Sequence, residues 1–167
     1  MEGPVAIVGY MGCGKSTVGR MLARSLGWDF VDLDREISRS AGRTIPDIFE
    51  HCGEQAFRAL EHDALLSALD GKRRCVVACG GGIVEKPENR EWLARVPTVF
   101  VREDIGVLFA RTRDARRPLR GVSREDFERR YERRLPLYEE VADLEVAVRG
   151  RLPQAVAREI ERWISGE

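Results

Sequence analysis

The residues best suited to chemistry form a glycine-rich string near the start of the chain. Gly9, Gly12 and Gly14 lead into Lys15 and Ser16, so that the string reads G-x-x-x-x-G-K-S. An apolar stretch precedes it and a helical pattern follows it, which is the context that this motif requires. Glycines let such a loop turn its backbone N–H groups inward around phosphate oxygens, because a Cβ would obstruct the close approach. The pattern predicts a loop that binds phosphate.

The last two residues of the string have predicted chemical roles. Lys15 is expected to reach the β- and γ-phosphates of a nucleotide, and Ser16 to offer its hydroxyl to Mg²⁺. The phosphate would lie at a helix N-terminus, where unpaired N–H groups and the helix dipole favour an anion. We therefore predict binding of ATP with Mg²⁺ rather than a turn that merely packs tightly. The predicted nucleotide contacts in this segment are Gly12, Cys13, Gly14, Lys15, Ser16 and Thr17.

Two carboxylates follow the next apolar stretch. Asp32 and Asp34 flank Leu33 at the end of a predicted strand, residues 29–33, and alternation along a strand places both on one side of the sheet. Open α/β sheets bind ligands at the carboxyl ends of their strands, so we expect both acids beside the phosphate loop. One can serve Mg²⁺ while the other faces an acceptor hydroxyl. Asp is also a favoured helix N-cap, and the spacing alone does not separate the two interpretations.

The elements that position these residues follow an alternating pattern. Short apolar runs alternate with helical periodicity, which is typical of a parallel sheet covered by helices on both faces. We predict one domain over residues 1–167 with a three-layer α/β fold of the P-loop NTPase type and a five-stranded parallel sheet. The predicted strands are residues 5–8, 29–33, 75–78, 98–101 and 144–148. The predicted helices are 14–26, 45–51, 54–69, 88–95, 105–111, 124–141 and 153–164.

One stretch lacks a clear element. Residues 112–122 are rich in arginine and contain Pro118 and Gly121 between two helical patterns, which predicts a mobile lid. The wider segment 111–134 has ten arginines and five acidic residues. Such a segment can hold phosphate, although on charge alone a solvated helix face is the commoner interpretation.

The overall composition excludes several classes of protein. Lys and Arg together number 28, as do Asp and Glu, which argues against a surface built for nucleic acid or an acidic membrane. The cysteines, at positions 13, 52, 75 and 79, form no C-x-x-C pair, so no metal–thiolate site is expected. There is no signal or transit pattern, and no apolar run reaches the roughly 20 residues that span a bilayer. We expect a cytoplasmic protein that binds neither membrane nor nucleic acid.

A longer pattern resembles the shikimate kinase family. From Phe30 to Glu61 the chain follows F-x-D-x-D and then G-x-x-I-x-x-I-F-x-x-x-G-E-x-x-F-R-x-x-E. The resemblance covers nearly the whole chain in the same order. It continues through Gly80–Gly82, Arg117-Pro118-Leu119, Arg134-Leu135-Pro136-Leu137-Tyr138 and Arg151-Leu152-Pro153. The chain departs from the family pattern at Arg120, where the lid commonly has leucine, and at Ser38, where an acid is common.

The resemblance implies a reaction and the residues that perform it. The γ-phosphoryl of ATP would pass to the 3-hydroxyl of shikimate, giving shikimate 3-phosphate and ADP, a step of chorismate and aromatic amino-acid biosynthesis. Asp32 would contribute to the Mg²⁺ site. Asp34 would contact the acceptor hydroxyl, as an orienting group or as its general base. Lys15 and the lid residue Arg117 would neutralise charge on the moving phosphoryl.

The resemblance also implies the two binding sides, in a protein expected to be a monomer. The shikimate-binding region would span about residues 34–61. The residues that bind shikimate would be Asp34, Phe49, Phe57, Arg58, Glu61, Gly80, Gly81, Gly82 and Arg134. Arginine suits this role because its planar fork matches a carboxylate in two parallel hydrogen bonds. The nucleotide side would add Arg111, Arg117, Arg151 and Pro153.

Plainer interpretations remain for these residues. Arg58 is spaced for surface ion pairs with Glu54 and Glu61, worth about 0.2–0.5 kcal/mol each. Phe49 and Phe57 are by default core residues.

Another small-molecule kinase of the same fold, such as a gluconate kinase, would share the phosphate loop. A nonenzymatic nucleotide switch would not need the lysine, the aspartate pair and the lid arginine, and a nucleic-acid module would carry more interleaved aromatic residues.

Overall fold

The computed structural model describes residues 3–71, 73–113 and 123–166. The predicted lid lies almost wholly outside these residues, and with it Arg117 and Arg120. Of its predicted span, Thr112 belongs instead to a helix that continues to Arg113.

The centre of the fold is a parallel sheet of five strands, as predicted. In chain order they are β1 (Val5–Val8), β2 (Asp29–Asp32), β3 (Cys75–Ala78), β4 (Thr98–Arg102) and β5 (Leu144–Ala147). Their order across the sheet is β2-β3-β1-β4-β5, and every neighbouring pair is parallel. Every residue of β1 and β3 is buried. Because successive side chains point to opposite faces, helices must cover both faces of the sheet.

The helices connect these strands. They are α1 (Lys15–Leu26), α2 (Leu33–Ala41), α3 (Ile45–Leu69), α4 (Pro87–Leu93), α5 (Ile105–Arg113), α6 (Arg124–Val141) and α7 (Pro153–Ser165), with a 3₁₀ turn at Ile83–Glu85. Helix α1 ends at Gly27 in the left-handed conformation, as predicted, and α7 ends in the same way at Gly166. Helix α1 packs against α7 and β3, so the helix that follows the phosphate loop is fixed by the core.

One helix was not predicted. Helix α2 begins at Leu33, so β2 ends one residue earlier than expected. The two predicted helices 45–51 and 54–69 are confirmed as two helical stretches within α3, separated by a kink at Gly53, whose φ of 82° and ψ of 171° are not helical. A positive φ suits glycine there because a Cβ would strain it.

No helix within residues 3–71, 73–113 and 123–166 is both long enough and apolar enough to cross a bilayer.

Candidate active site

The phosphate loop joins β1 to α1 as the sequence predicted. Gly12 and Gly14 have φ values of 80° and 94°, which side-chain-bearing residues rarely adopt. At Gly9 a Cβ would lie 2.5 Å from the carbonyl oxygen of Val101 on the neighbouring strand. The glycines of the motif are therefore required by backbone conformation at two positions and by close packing at the third.

Lys15 is the first residue of α1, and its ammonium group lies against the loop. Nζ donates hydrogen bonds to the carbonyl oxygens of Gly9 at 2.8 Å and Tyr10 at 2.9 Å, and it lies 3.7 Å from Sγ of Cys13. The side chain of Cys13 is buried. The loop therefore holds a positive charge at the N-terminus of α1, where the helix dipole has the same sign.

Ser16 and Asp32 form a direct pair between α1 and β2. Oγ of Ser16 donates to Oδ2 of Asp32 at 2.8 Å. Asp32 occupies the N-cap position of α2, but its side chain accepts no capping hydrogen bond there. The plainer interpretation of this acid as a helix cap is therefore not supported by its contacts.

Asp34 lies in the first turn of α2 rather than on the strand. The prediction that alternation along a strand places Asp34 on the same side as Asp32 was therefore wrong. Both acids nevertheless line the same cavity of about 260 Å³, because α2 begins directly at the strand end. The described residues that line it are Met11, Gly12, Gly14, Lys15, Ser16, Thr17, Asp32, Asp34, Cys79, Gly80 and Gly81.

The glycine triplet after β3 makes room for charged side chains. A Cβ on Gly80 would lie 2.5 Å from Oε1 of Glu61 and 3.4 Å from Oδ1 of Asp34. A Cβ on Gly82 would overlap the guanidinium group of Arg58. The triplet is therefore required by space, and it lies between the cavity and the second group of predicted residues.

Arg58 and Glu61 lie one turn apart on the second part of α3. Nη1 of Arg58 donates to Oε2 of Glu61 at 2.7 Å, and Nη2 lies 3.3 Å from Oε1 of Glu54. Both ion pairs of the plainer interpretation are thus present. Glu61 is buried, and its Oε1 has no hydrogen-bond partner within residues 3–71, 73–113 and 123–166. Burial raises the pKa of Glu61, Arg58 opposes this effect, and the charge of Asp34 adds to it.

The two predicted phenylalanines pack together above Arg58. The ring centroids of Phe49 and Phe57 are 4.7 Å apart, and the guanidinium of Arg58 lies 5.4 Å from the ring centroid of Phe57. Both rings also join a small core cluster with Ile37 and Ile48. Phe57 is buried and Phe49 is only partly buried, so Phe49 retains an accessible apolar surface.

Arg134 is the buried arginine of α6. Its side chain is 5% exposed, its guanidinium lies 5.6 Å from the ring centroid of Tyr10, and its Nε has no hydrogen-bond partner among the described residues. Nη2 donates to Oε2 of Glu85 at 2.9 Å. Arg134 is therefore not one more solvated arginine of a charged helix.

The predicted nucleotide-side residues are only partly brought to the phosphate loop. Nη1 of Arg111 donates to the carbonyl oxygen of Gly12 at 3.0 Å, and Nη2 pairs with buried Glu103 at 3.1 Å. Arg151 pairs with Glu159 at 2.5 Å, and Pro153 begins α7. Neither Arg151 nor Pro153 is among the described residues that line the cavity.

A family model described as shikimate kinase matches residues 11–165. The chain belongs to the shikimate kinase family. A shikimate kinase of Halorhodospira halophila is 43% identical over 98% of this chain and 94% of that relative. A shikimate kinase of Thermodesulfovibrio yellowstonii is 36% identical over 98% of both chains.

A solved structure is also similar to this chain in its fold. A shikimate kinase from Acinetobacter baumannii in complex with shikimate matches with a TM-score of 0.92 and 38% identity. The match covers 98% of this chain and 93% of that chain. The fold of this chain is therefore that of the shikimate kinase family, an ATP-dependent kinase family.

Several residues of the candidate site were not predicted from the sequence. Glu85 contacts Arg58 and Arg134, Glu103 holds Arg111, and the hydroxyl of Tyr138 donates to the carbonyl oxygen of Gly81. The contacts of Glu85 and Tyr138 join residues that are 27 to 57 positions apart along the chain, and none of the contacts has a characteristic spacing. The sequence does not display such tertiary contacts.

Proposed function

We propose that this protein transfers the γ-phosphoryl group of ATP to the 3-hydroxyl of shikimate, giving shikimate 3-phosphate and ADP. One observation carries the proposal. The phosphate loop and Asp34 line the same cavity. The glycine triplet lies at the edge of this cavity, between the phosphate loop and the two arginines Arg58 and Arg134. A phosphate donor side and a side suited to a ring acid are thus adjacent.

The donor side would work mainly by positioning and charge. Phosphoryl transfer asks the protein to align donor and acceptor and to stabilise negative charge. Lys15 would bring its ammonium to the β- and γ-phosphates, exchanging the carbonyl partners of Gly9 and Tyr10 for phosphate oxygens. Backbone N–H groups of residues 12–17 would hold the remaining phosphate oxygens. Arg111 would bind on the nucleotide side, as would Arg117, Arg151 and Pro153.

The residues at the start of α1 fit a bound Mg²⁺. Mg²⁺ prefers oxygen ligands and is commonly held by one or two carboxylates together with substrate phosphates. Ser16 and Asp32 supply a hydroxyl and a carboxylate that already contact each other at 2.8 Å. These two residues would hold the ion, and the ion would supply charge neutralisation for the phosphates when bound.

The acceptor side would bind shikimate through its carboxylate and its ring. Arg58 and Arg134 would bind the carboxylate, and Phe49 and Phe57 would form an apolar wall. Glu61 would hold Arg58, and backbone groups of Gly80, Gly81 and Gly82 would approach the ring. Asp34 would orient the 3-hydroxyl and accept its proton. The 34–61 region would thus form the shikimate side of a single-domain, monomeric, cytoplasmic enzyme.

A coupled assay of ADP release tests the function directly. We expect rapid ADP release with shikimate, and only background release with gluconate or with no acceptor. Gluconate tests the nearest rival because it is an acyclic acid that the compact site should not orient. ADP release with gluconate but not with shikimate would indicate that the protein is another small-molecule kinase. If neither acceptor increased ADP release, a nucleotide switch would be favoured.

Loss of either carboxylate-binding arginine should act on one substrate only. We expect Arg58→Ala and Arg134→Ala each to weaken shikimate binding by roughly 10- to 100-fold, because one charge-assisted hydrogen bond contributes about 1.5–3 kcal/mol. ATP binding should change little. Titration calorimetry with each ligand measures both effects.

Arg129→Ala is the matched control for this prediction. Arg129 lies on the same helix as Arg134, but it is 74% exposed and pairs with Asp126. We expect it to bind shikimate as wild type does. Equal losses of ATP and shikimate affinity in the Arg58 and Arg134 variants would indicate a structural role for these arginines instead.

A further inference from the structure

Arg58 and Arg134 share a carboxylate that belongs to the chain itself. Oε2 of Glu85 accepts a hydrogen bond from Nη2 of Arg134 at 2.9 Å and lies 3.4 Å from Nη2 of Arg58. Glu85 is the last residue of the 3₁₀ turn after the glycine triplet, and its side chain is 23% exposed. A negative charge of the protein therefore bridges the two guanidinium groups.

This bridge lies where the carboxylate of the ring acid is proposed to bind. A guanidinium recognises any carboxylate through the same planar N–H fork. Two carboxylates on one pair of guanidinium groups would repel each other in a partly buried site. Glu85 and the substrate should therefore compete for the same donors.

The contacts of Glu85 also provide a position to which it can move. Its other oxygen, Oε1, bonds the neighbouring Arg133, whose side chain is 67% exposed. The 3.4 Å contact with Arg58 is long, and Arg58 has a shorter bond to Glu61. Rotation of Glu85 toward Arg133 would release both site arginines while Glu85 kept an ion pair.

Glu85 satisfies Arg134 only in part. Nε of Arg134 is buried and has no hydrogen-bond partner in the part of the chain that the structure describes, and a buried charged group with unmet hydrogen bonds is costly. A ligand carboxylate that replaced Glu85 and approached Arg134 from another direction could accept hydrogen bonds from more of the N–H groups of Arg134. The arrangement thus favours replacement rather than a permanent pair.

Glu85 is charged when it competes. Burial acts to raise the pKa of Glu85, but hydrogen bonds and charge from Arg134 and Arg133, with the charge of Arg58, outweigh it and lower the pKa below its ordinary value. The competition near neutral pH is therefore between two anions.

We propose that Glu85 occupies the carboxylate subsite in the free protein and is displaced by shikimate, so that Glu85 sets the affinity and the acid selectivity of this site. The inference rests on the proposed function, because it takes shikimate as the ligand of Arg58 and Arg134. The opposite role, a fixed anion that holds both arginines in place for the substrate, would change affinity in the opposite direction.

Titration calorimetry with shikimate separates the two roles. Glu85→Gln keeps the shape and removes the charge, so the dissociation constant for shikimate should fall by about 3- to 10-fold as the competing state is lost. The affinity for ATP should not change. Glu140→Gln is the matched control, because Glu140 pairs with Arg90 outside the bridge, and its shikimate affinity should equal that of wild type.

The methyl ester of shikimate tests whether charge is responsible. The ester keeps the ring but cannot replace Glu85 as an anion, so Glu85→Gln should improve its binding much less than that of the acid. An equal gain for acid and ester would overturn the proposal, since the gain would then come from space. Glu85→Asp keeps the charge on a shorter side chain and should bind shikimate with intermediate affinity, which provides a second measurement if the amide variant does not fold.

The remaining outcomes distinguish this inference from the proposed function. Absence of shikimate binding by the wild-type protein would overturn the proposed function and the role of Glu85 together. Binding by wild type with equal binding by Glu85→Gln would overturn the role of Glu85 alone. Weaker binding by Glu85→Gln would assign Glu85 the fixed, positioning role instead.

Discussion

Asp34→Asn should lower kcat by about 10²–10⁴, the usual contribution of a positioned general base. Asparagine keeps the shape of the side chain but can neither carry the charge nor accept a proton at neutral pH. The variant should stay folded, because a charge at an exposed helix N-terminus contributes only about 0.3–1 kcal/mol. It should also bind ATP with Mg²⁺ as wild type does. If Asp34 only orients the hydroxyl, the loss should fall at or below the low end of this range.

Asp32→Asn is the matched comparison, because it makes the same chemical change in the same cavity. It alters the partner of Ser16, so we expect a raised Mg²⁺ requirement that excess metal partly restores. Steady-state kinetics of both variants across a Mg²⁺ series, with thermal melts to check folding, measures the difference. If excess metal restored Asp34→Asn but not Asp32→Asn, the two roles would have to be exchanged.

Lys15→Ala should abolish phosphoryl transfer. The backbone donors of the loop cannot replace a mobile positive charge at the β- and γ-phosphates. The change also removes the hydrogen bonds to Gly9 and Tyr10, so a thermal melt is needed to show that the variant folds. The ADP-release assay with shikimate then measures turnover.

Lys86→Ala controls for the loss of a lysine charge. Lys86 precedes α4 and is not among the described residues that line the cavity, so its variant should turn over normally. Near-normal turnover in a folded Lys15→Ala variant would contradict the role assigned to the phosphate loop.

The sequence predicts elements well where burial follows a simple pattern. Strands Val5–Val8 and Cys75–Ala78 and helix Arg124–Val141 match their predicted bounds. The first two are short apolar runs buried on both faces, and such runs bounded by turn residues are easily recognised. The phosphate loop is equally clear, because its glycines, lysine and serine are local in sequence.

Helix α2 was missed although its two buried residues, Leu33 and Ile37, lie four residues apart, as residues on one face of a helix do. The helix has nine residues and begins directly after β2, and its first residue, Leu33, was assigned to the strand. Without the helix, Asp34 was placed on a strand that had already ended. Asp34 still lies in the predicted cavity beside the phosphate loop, because α2 begins at the carboxyl end of β2, where the strand would have ended.

The charge network of the acceptor side could not be predicted from spacing. Glu85 lies 27 residues from Arg58 and 49 from Arg134 along the chain. Only the packing of α3, the 3₁₀ turn and α6 brings the three together. A residue pattern can predict that an arginine binds the carboxylate of a substrate. It does not predict which carboxylate side chain of the protein contacts that arginine.

The glycine triplet limits which substitutions this sequence can accept. Every replacement of a glycine adds at least one carbon. At Gly80 that carbon would meet the carboxylate of Glu61, and at Gly82 the guanidinium of Arg58. At Gly81 the nearest atom is the backbone nitrogen of Met11, 3.3 Å away. A substitution at position 80 or 82 therefore requires the end of a charged side chain to move, whereas a substitution at position 81 is limited by backbone.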